Sequence, residues 1–552
     1  MYILGVNGWV RGIHDSSAAI FKDGELIAAA EEERFTRRKR SFNTPPHNAI
    51  LYCLHEAGIA ADEIDHVAVG WNIRELDEWY GISNSSEELI LDTILPVRKF
   101  PRKRDLILHL VPHHLSHAAG AYFSSGFNES SIVVIDGSGE RESITLAYGS
   151  PDGIEIYEQF PLRSSLGLFY SALSVYVGLG MFQEGKTMGL APYGTPELYI
   201  PDVLDGPPNL RNKDTLRDEE VIRAWVTWLE TCTGVRPSQK VWQYDRERAR
   251  LSSSVPITRH QEMVAASGQA GLERALATLI NRVFELSPSR NICLSGGVAL
   301  NCVANLNVAM NSSVLDIYIQ PPASDAGVSI GAAAYVSWLQ GQKPVISEDH
   351  VYAGPNFGDE EIAKILRSYN LSYDCPTDLE AHLVDLLASG KVVGRFSGRM
   401  EFGPRALGNR SILANPSSRS MHEKVNRIKL REQWRPLAPS VPMEEMTKVM
   451  EEPISSPYML IASTVRHEMR DVLPAVVHVD GSSRAQAVTR EFNFEYWRLI
   501  SNFCAASGIP AVINTSFNIG NEPIVCTPED AIRSFYGSEL DVLAIGSYLI
   551  KK

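Results

Sequence analysis

The chain has little cysteine, no excess of positive charge and no long uninterrupted apolar run, and each shortage removes a class of protein. Its seven cysteines are odd in number and scattered, with no Cys-x-x-Cys pair. That excludes a disulfide framework and a cysteine zinc site, and it fits a reducing cytoplasm. Lys and Arg number 52 against 66 Asp and Glu, a formal net charge of −14, so a broad nucleic-acid-binding face is not expected. No stretch is apolar for long enough to cross a bilayer, and the opening MYILGVNGWV lacks a cationic region ahead of an apolar one. Neither a membrane anchor nor a signal peptide is therefore expected. Missing too are the phosphate-binding pattern G-x-x-x-x-G-K-[ST] and a convincing dinucleotide fingerprint, which counts against the folds that use them.

What is present is 552 residues, 44% hydrophobic and 21% charged, the composition of a soluble globular protein too long for one ordinary domain. Strand and helix signals alternate through the first part. YILGVNG and SAAIFKDGELIAAAEEE read as strands, the second pair joined by a Lys-Asp-Gly turn, while QAGLERALATLINRVFEL is periodic as a helix. Between about Gly341 and Asp359 the text turns to Pro, Gly and polar residues. We therefore expect an α/β chain with a domain over 1–345, a linker over 346–365 and a second domain over 366–552. The last strand could instead return to the first domain. The basic clusters RFTRRKR and RKFPRKR are expected on a solvated surface, with an anion entrance as the alternative.

Three turns of Gly, Asp and Ser follow apolar strands: GVNGWVRGIHDSSAAI, VVIDGSGE and LSGGVALN. Such turns aim backbone N–H groups at phosphates, and the three together point to a nucleotide cleft between two related α/β halves. The stretch LVPHHLSHAAGAYF holds three histidines. In a helix His113 and His117 share a face and His114 points elsewhere. Such a pair is either structural or half of a metal site; Asp136, ending a strand, and Asp325, in a SDAG turn, favour the second. Two imidazoles with one or two carboxylates suit Fe(II), Mn or Zn.

The second domain concentrates cations among Gly and Pro turns: Arg395, Arg399, Arg405 and Arg410, then Lys429, Arg431 and Arg435, then Arg484. Arginine forks match phosphate oxygens, so a phosphorylated anion is expected there. The strand AVINTSFN would bring Ser516 and Asn518 to one face, with Asn514 in the same run.

The segments GIHDSSAAI, EERFTRRK, HHLSHAAGAYF, VVIDGSGE, EGKTMGLAPYG, LSGGVALN and SDAGVSIGAA together closely resemble the O-carbamoyltransferases of the nodulation and antibiotic-tailoring type, over nearly the whole chain and in the same order. That resemblance implies a first domain of two related halves on the actin/sugar-kinase/Hsp70 ATPase fold, similar to the tRNA threonylcarbamoyl-transferring enzyme. It implies a second domain similar to threonylcarbamoyl-adenylate synthase. Carried onto this sequence, His113, His117, Asp136 and Asp325 match metal ligands, usually of iron(II). Gly137, Gly296, Gly297 and Asn301 fall where the nucleotide is held, and His14 stands where a base would act on the acceptor. Lys429, Arg431, Ser516 and Asn518 match a phosphate-binding tetrad; Arg405, Arg435, Arg484 and Asn514 belong to the same carbamoyl-phosphate and ATP site.

The implied reaction makes carbamoyl-adenylate from carbamoyl phosphate and ATP with Mg²⁺, then transfers the carbamoyl group to a hydroxyl of a small-molecule acceptor. The rival readings are tRNA threonylcarbamoylation, a nucleotide-dependent switch and a sugar kinase. The acceptor is not legible. The segments YGISNSSEELILDTILPVRKF and LRNKDTLRDEEVIRAWVTWLE are the places to look for its contacts, and the second, being amphipathic, could equally be the face of a homodimer.

Overall fold

The computed structural model describes residues 1–8, 13–82, 85–103, 105–210, 216–236 and 257–552. They form two compact units that divide between Val351 and Tyr352.

Two five-stranded sheets build the first unit. β1 (Tyr2–Asn7) pairs antiparallel with β2 (Ser17–Lys22), which pairs antiparallel with β3 (Glu25–Glu31); on its other side β1 runs parallel to β4 (His66–Val69), and β4 to β5 (Ile107–Leu110). The second sheet repeats this plan. β6 (Ser130–Ile135) is central, with the antiparallel strands β7 (Glu142–Ser150) and β8 (Gly153–Pro161) on one side. The parallel strands β9 (Asn291–Ser295) and β10 (Asp316–Ile319) lie on the other. The orders β3-β2-β1-β4-β5 and β8-β7-β6-β9-β10 are the same order twice. That doubled plan matches the two related halves that the resemblance implied. It leaves no repeat in the text because the halves share apolar patterning, not residues.

Small residues decide how the helices approach these strands. α1 (His113–Ser125) and α2 (Val328–Leu339) are in backbone contact: a Cβ on Gly331 would stand 1.8 Å from the Ser116 carbonyl oxygen. On the other side of α2, a Cβ on Gly5 of β1 would stand 1.9 Å from the Ser329 carbonyl oxygen. α1 opens after Pro112 with no side-chain cap of its own. The carboxylate of Glu140 accepts from the His113 N–H at 3.0 Å instead, a favourable charge at a helix N-terminus.

The second unit has a seven-stranded mixed sheet in the order β16-β13-β17-β12-β11-β18-β19. Its strands are β11 (Val393–Phe396), β12 (Arg410–Ala414), β13 (Ala438–Pro442), β16 (Gln486–Val488), β17 (Val512–Ser516), β18 (Val542–Ile545) and β19 (Tyr548–Lys551). The short strands β14 (Ser463–Thr464) and β15 (Ser482–Ser483) pair apart from it. β19 closes a hairpin on β18, so the final strand is an edge of this sheet. One face is covered by a core that includes Phe396, Phe517 and Phe535, the other by one with Tyr496, Leu499 and Phe503.

Several expectations need correcting. The 346–365 segment is not all linker: a helix runs Asp359–Ser368 because Ile362 and Leu366 enter the core. The amphipathic segment forms a helix over Asp218–Thr233, and Val221, Trp225 and Leu229 are buried. Its apolar face is used inside the unit and is not free to meet a second copy; residues 211–215 of that segment lie outside the described residues. In RFTRRKR, Arg34 is buried and holds Glu31 at 2.8 Å and Glu33 at 2.7 Å, whereas Arg38 and Lys39 are exposed. In RKFPRKR, Arg98, Lys99 and Lys103 are exposed, and Arg104 is outside the described residues. The same holds for residues 9–12 of the first Gly-rich turn and 83–84 of the first acceptor segment. Among the described residues no helix is long and apolar enough to cross a membrane.

Candidate metal centre and anion site

Four buried side chains of the first unit meet: His113 and His117 from α1, Asp136 just beyond β6, and Asp325 from the turn that leads into α2. One ligand atom from each lies within 4.8 Å of all the others. His113 Nε2 is 3.3 Å from Asp136 Oδ2 and 3.8 Å from Asp325 Oδ1; His117 Nε2 is 3.7 Å and 4.0 Å from the same atoms. These are separations that one divalent ion can span.

The surroundings fit such an ion. His113 Nδ1 lies 3.1 Å from the Gly70 carbonyl, to which it can only donate, so Nε2 is the atom left to face Asp136 and Asp325. Trp71 stacks on that ring with centroids 3.7 Å apart. His117 Nε2 is buried and has no hydrogen-bond partner, a cost that a bound cation would remove. Asp136 divides its oxygens: Oδ1 accepts the Gly297 N–H at 2.8 Å and Oδ2 faces the histidines.

Electrostatics say the same. Burial would lower the basicity of His113, but the hydrogen bond to Asp136 and the charges of Asp325 and Asp136 prevail and raise its pKa to about 9. Burial opposes ionisation of Asp136, yet His113 and His117 hold it well below the usual carboxylate range. Asp325 is pushed up, by burial first and by Asp136.

His14 borders this cluster, its Nδ1 3.3 Å from Asp15 and 4.0 Å from Asp325 Oδ2. Phe42 and Phe182 meet its ring edge-on, at 5.6 and 5.0 Å between centroids. Burial disfavours the charged imidazole, but Asp325 and Asp15 raise its pKa above the ordinary value.

The expected nucleotide contacts are partly spent inside the fold. The Gly297 N–H is taken by Asp136, and Ser165 Oγ donates to the Gly137 carbonyl at 2.7 Å. Gly296 sits at φ +90°, where a Cβ would come 2.2 Å from the Ile135 carbonyl oxygen. Asn301 caps the helix Cys302–Ala309 and pairs reciprocally with Gln269.

In the second unit, Lys429 follows α3 (Arg419–Ile428). Its Nζ donates to Asn518 Oδ1 at 2.6 Å, to Ser516 Oγ at 3.0 Å and to the Ser516 carbonyl. Ser516 Oγ donates to Asn518 Oδ1 at 2.6 Å. The end of β17 and the end of α3 thus converge. Arg431 is held by Asn426 Oδ1 at 2.5 Å, and its pKa is pushed far down by burial, then by Arg435 and Arg484. Arg435 is lowered by burial and by Arg484, with Glu432 opposing. The Nε of Arg484 is buried and makes no hydrogen bond. Crowded guanidiniums with an orphaned donor are what an anion site looks like when viewed from its cations.

The other arginines do different work. Arg395 donates to the Gly408 carbonyl at 2.6 Å, Arg399 to the Ala353 carbonyl at 2.9 Å, and Arg410 to the carbonyls of Ser397, Gly398 and Pro355. These three brace the backbone. Arg405 alone of that run remains a candidate. Its loop is fixed by Glu401, whose Oε1 accepts the N–H groups of Leu407, Asn409 and Arg410. Asn514, expected beside the ligand, is 1% exposed; its amide donates to the Ala406 carbonyl, Ser440 and Gln486. It supports the Arg405 loop.

Sequence reasoning missed Glu140, Gly70, Ser295, Gln320 and Glu401. Ser295 and Gln320 carry a faint signal, a polar residue closing an apolar strand. Glu140 and Glu401 carry none, since their partners are backbone groups set by the fold.

Family models match most of the chain: Carbamoyltransferase N-terminus over residues 2–82 and 88–334, and Carbamoyltransferase C-terminus over 384–552. An uncharacterised protein of Synechocystis is 37% identical, aligned over 100% of this chain and 97% of its own length. Nodulation protein NolNO of Sinorhizobium fredii is 37% identical over 98% of this chain and 79% of its own length. Nodulation protein NolO of Bradyrhizobium diazoefficiens is 36% identical over 80% and 78%. Among solved structures, component A of the Acidaminococcus fermentans (R)-2-hydroxyglutaryl-CoA dehydratase aligns with 62% of this chain and 99% of its own, at 15% identity and a TM-score of 0.34. The chain belongs to the carbamoyltransferase family. It is a transferase.

Proposed function

We propose that the chain is an ATP-dependent O-carbamoyltransferase that forms carbamoyl-adenylate from carbamoyl phosphate and ATP and passes the carbamoyl group to a hydroxyl of a small-molecule acceptor. The observation that carries this reading is the convergence of Lys429, Ser516 and Asn518 in the unit where Arg431, Arg435 and Arg484 crowd together. A site of that charge answers to polyanions such as carbamoyl phosphate and a nucleotide triphosphate with its Mg²⁺.

Water would hydrolyse carbamoyl phosphate there to carbamate and inorganic phosphate, and a carbamate oxygen would then attack the α-phosphorus of ATP and expel pyrophosphate. Lys429, Arg431, Arg435, Arg484 and Arg405 neutralise the charge gathered by two phosphorylated substrates and developed on the leaving group. Ser516 and Asn518 hold the Lys429 ammonium in place. In the first unit His14 accepts the proton of the acceptor hydroxyl as oxygen attacks the carbamoyl carbon and AMP departs. A divalent metal held by His113, His117, Asp136 and Asp325, Fe(II) or else Mn or Zn, would supply Lewis-acid polarisation of the carbamoyl carbonyl.

The test is pyrophosphate release by purified protein with ATP, Mg²⁺ and Fe(II), with and without carbamoyl phosphate and with no acceptor. Release that requires carbamoyl phosphate, with no ADP formed, is the expected result. Release indifferent to carbamoyl phosphate would sink the adenylate step.

A further inference from the structure

The support behind His117 leads to a residue no sequence pattern singled out. His117 Nδ1 lies 3.0 Å from Ser295 Oγ, and Ser295 Oγ donates to Gln320 Oε1 at 2.8 Å. A hydroxyl carries one proton. With that proton committed to Gln320, Ser295 can only accept from His117, so Nδ1 bears the hydrogen and Nε2 keeps its lone pair. Nε2 is the atom that faces Asp136 and Asp325.

The orientation of the Gln320 amide is fixed from its other end. Its Nε2 donates to the Gly327 carbonyl at 3.4 Å, within the turn Asp325–Gly327. The side chain has little room to move: Gln320 is 1% exposed, and a Cβ on Gly120 or Gly327 would stand 2.4 or 2.9 Å from that nitrogen. Its backbone N–H is held by the Leu294 carbonyl at 3.2 Å, next to Ser295.

We propose that Gln320 is a positioning residue for the metal centre. Through Ser295 it sets the His117 tautomer that offers a lone pair, and through Gly327 it pins the turn that carries Asp325. One amide therefore serves two ligands on different elements. The proposal rests on the metal reading above. Gln320→Met keeps the volume and removes both hydrogen bonds. Ser295 would then be free to donate to His117 Nδ1, which moves the imidazole hydrogen to Nε2, where it points at the cation.

The experiment uses the full chain and Co(II) as probe, with dissociation constants from chelator competition, the visible Co(II) spectrum, and thermal melting of metal-free protein. The expected result is roughly 10–100-fold weaker Co(II) binding and an altered spectrum for Q320M, the range found for loss of an outer-shell partner, with the metal-free melt little changed. S295A, which cuts only the His117 branch, should also weaken Co(II) binding, and the double variant should be no worse than Q320M, because Ser295 acts only through the hydrogen-bond chain that ends on Gln320. Affinity within about twofold of the parent for both variants overturns the proposal, as does simple additivity in the double variant. Should Q320M fail to fold, S295A is read against the same limits. If the parent protein binds no Co(II), the metal reading itself fails, and the proposal falls with it.

Discussion

Lys429 donates to Ser516 and Asn518, so its charge is placed by a serine and an asparagine. Lys429→Met, of similar length and without charge, should lower carbamoyl-phosphate-dependent pyrophosphate release by about 10²–10³-fold while circular dichroism stays unchanged. Retained release would remove Lys429 from the chemistry. The grouping of Lys429 with Ser516 and Asn518 was legible only through the family resemblance, because Lys429 and Ser516 stand 87 residues apart in the chain. The bracing role of Arg395, Arg399 and Arg410 was not, since charge in a sequence does not say whether phosphates or backbone carbonyls will meet it. His350 offers a separate test at this scale. Burial holds its imidazole neutral down to about pH 4, against 6.5 for the free side chain. Between those values the unfolded chain binds the extra proton. Its contribution to stability is thus full above about pH 6.5 and lost as pH falls toward about 4, by at most roughly 1.4 kcal/mol per unit. Urea denaturation of His350→Gln beside the parent should show a shallower fall over that window, and parallel curves would refute it.

Strands were read from the text where patterning was strong: β1 to β3, β6 and β9 stand where their apolar spacing put them. The text did not show how near the elements come. The approach of α2 to α1 depends on Gly331, whose missing side chain lets the Ser116 carbonyl lie where a Cβ would be. That contact sets the distance from the Asp325 turn to His113 and His117. Gly331→Ala must push the helices apart, and backbone faces backbone, so no side chain can yield. We expect a loss of stability at or above the usual 1–3 kcal/mol of overpacking, measured by thermal melting, together with weaker Co(II) binding. A variant that melted like the parent and bound Co(II) equally would mean that the helix spacing does not govern the site.

For the molecule as a whole, the histidine–aspartate cluster and the cation cluster lie in different units, which predicts chemical independence. His113→Ala, or removal of the metal by an iron-selective chelator that spares Mg²⁺, should leave carbamoyl-phosphate-dependent pyrophosphate release within about twofold of the parent. Any carbamoyl transfer should stop. Pyrophosphate release that fell in step with metal content would join the two steps and revise the mechanism.

The ligands also come from three distant places in the chain, and this has a consequence for how the protein is born. Asp325 follows His113 by about 210 residues, so at roughly 5–20 residues per second the ribosome delivers the last ligand some 10–40 s after the first. Through that interval the nascent chain holds two imidazoles, and soon one carboxylate, with no complete cage around them. A metal held by all four side chains could be kept only once the Asp325 turn has joined the other three, so its capture would act as a clock for completion of the first unit.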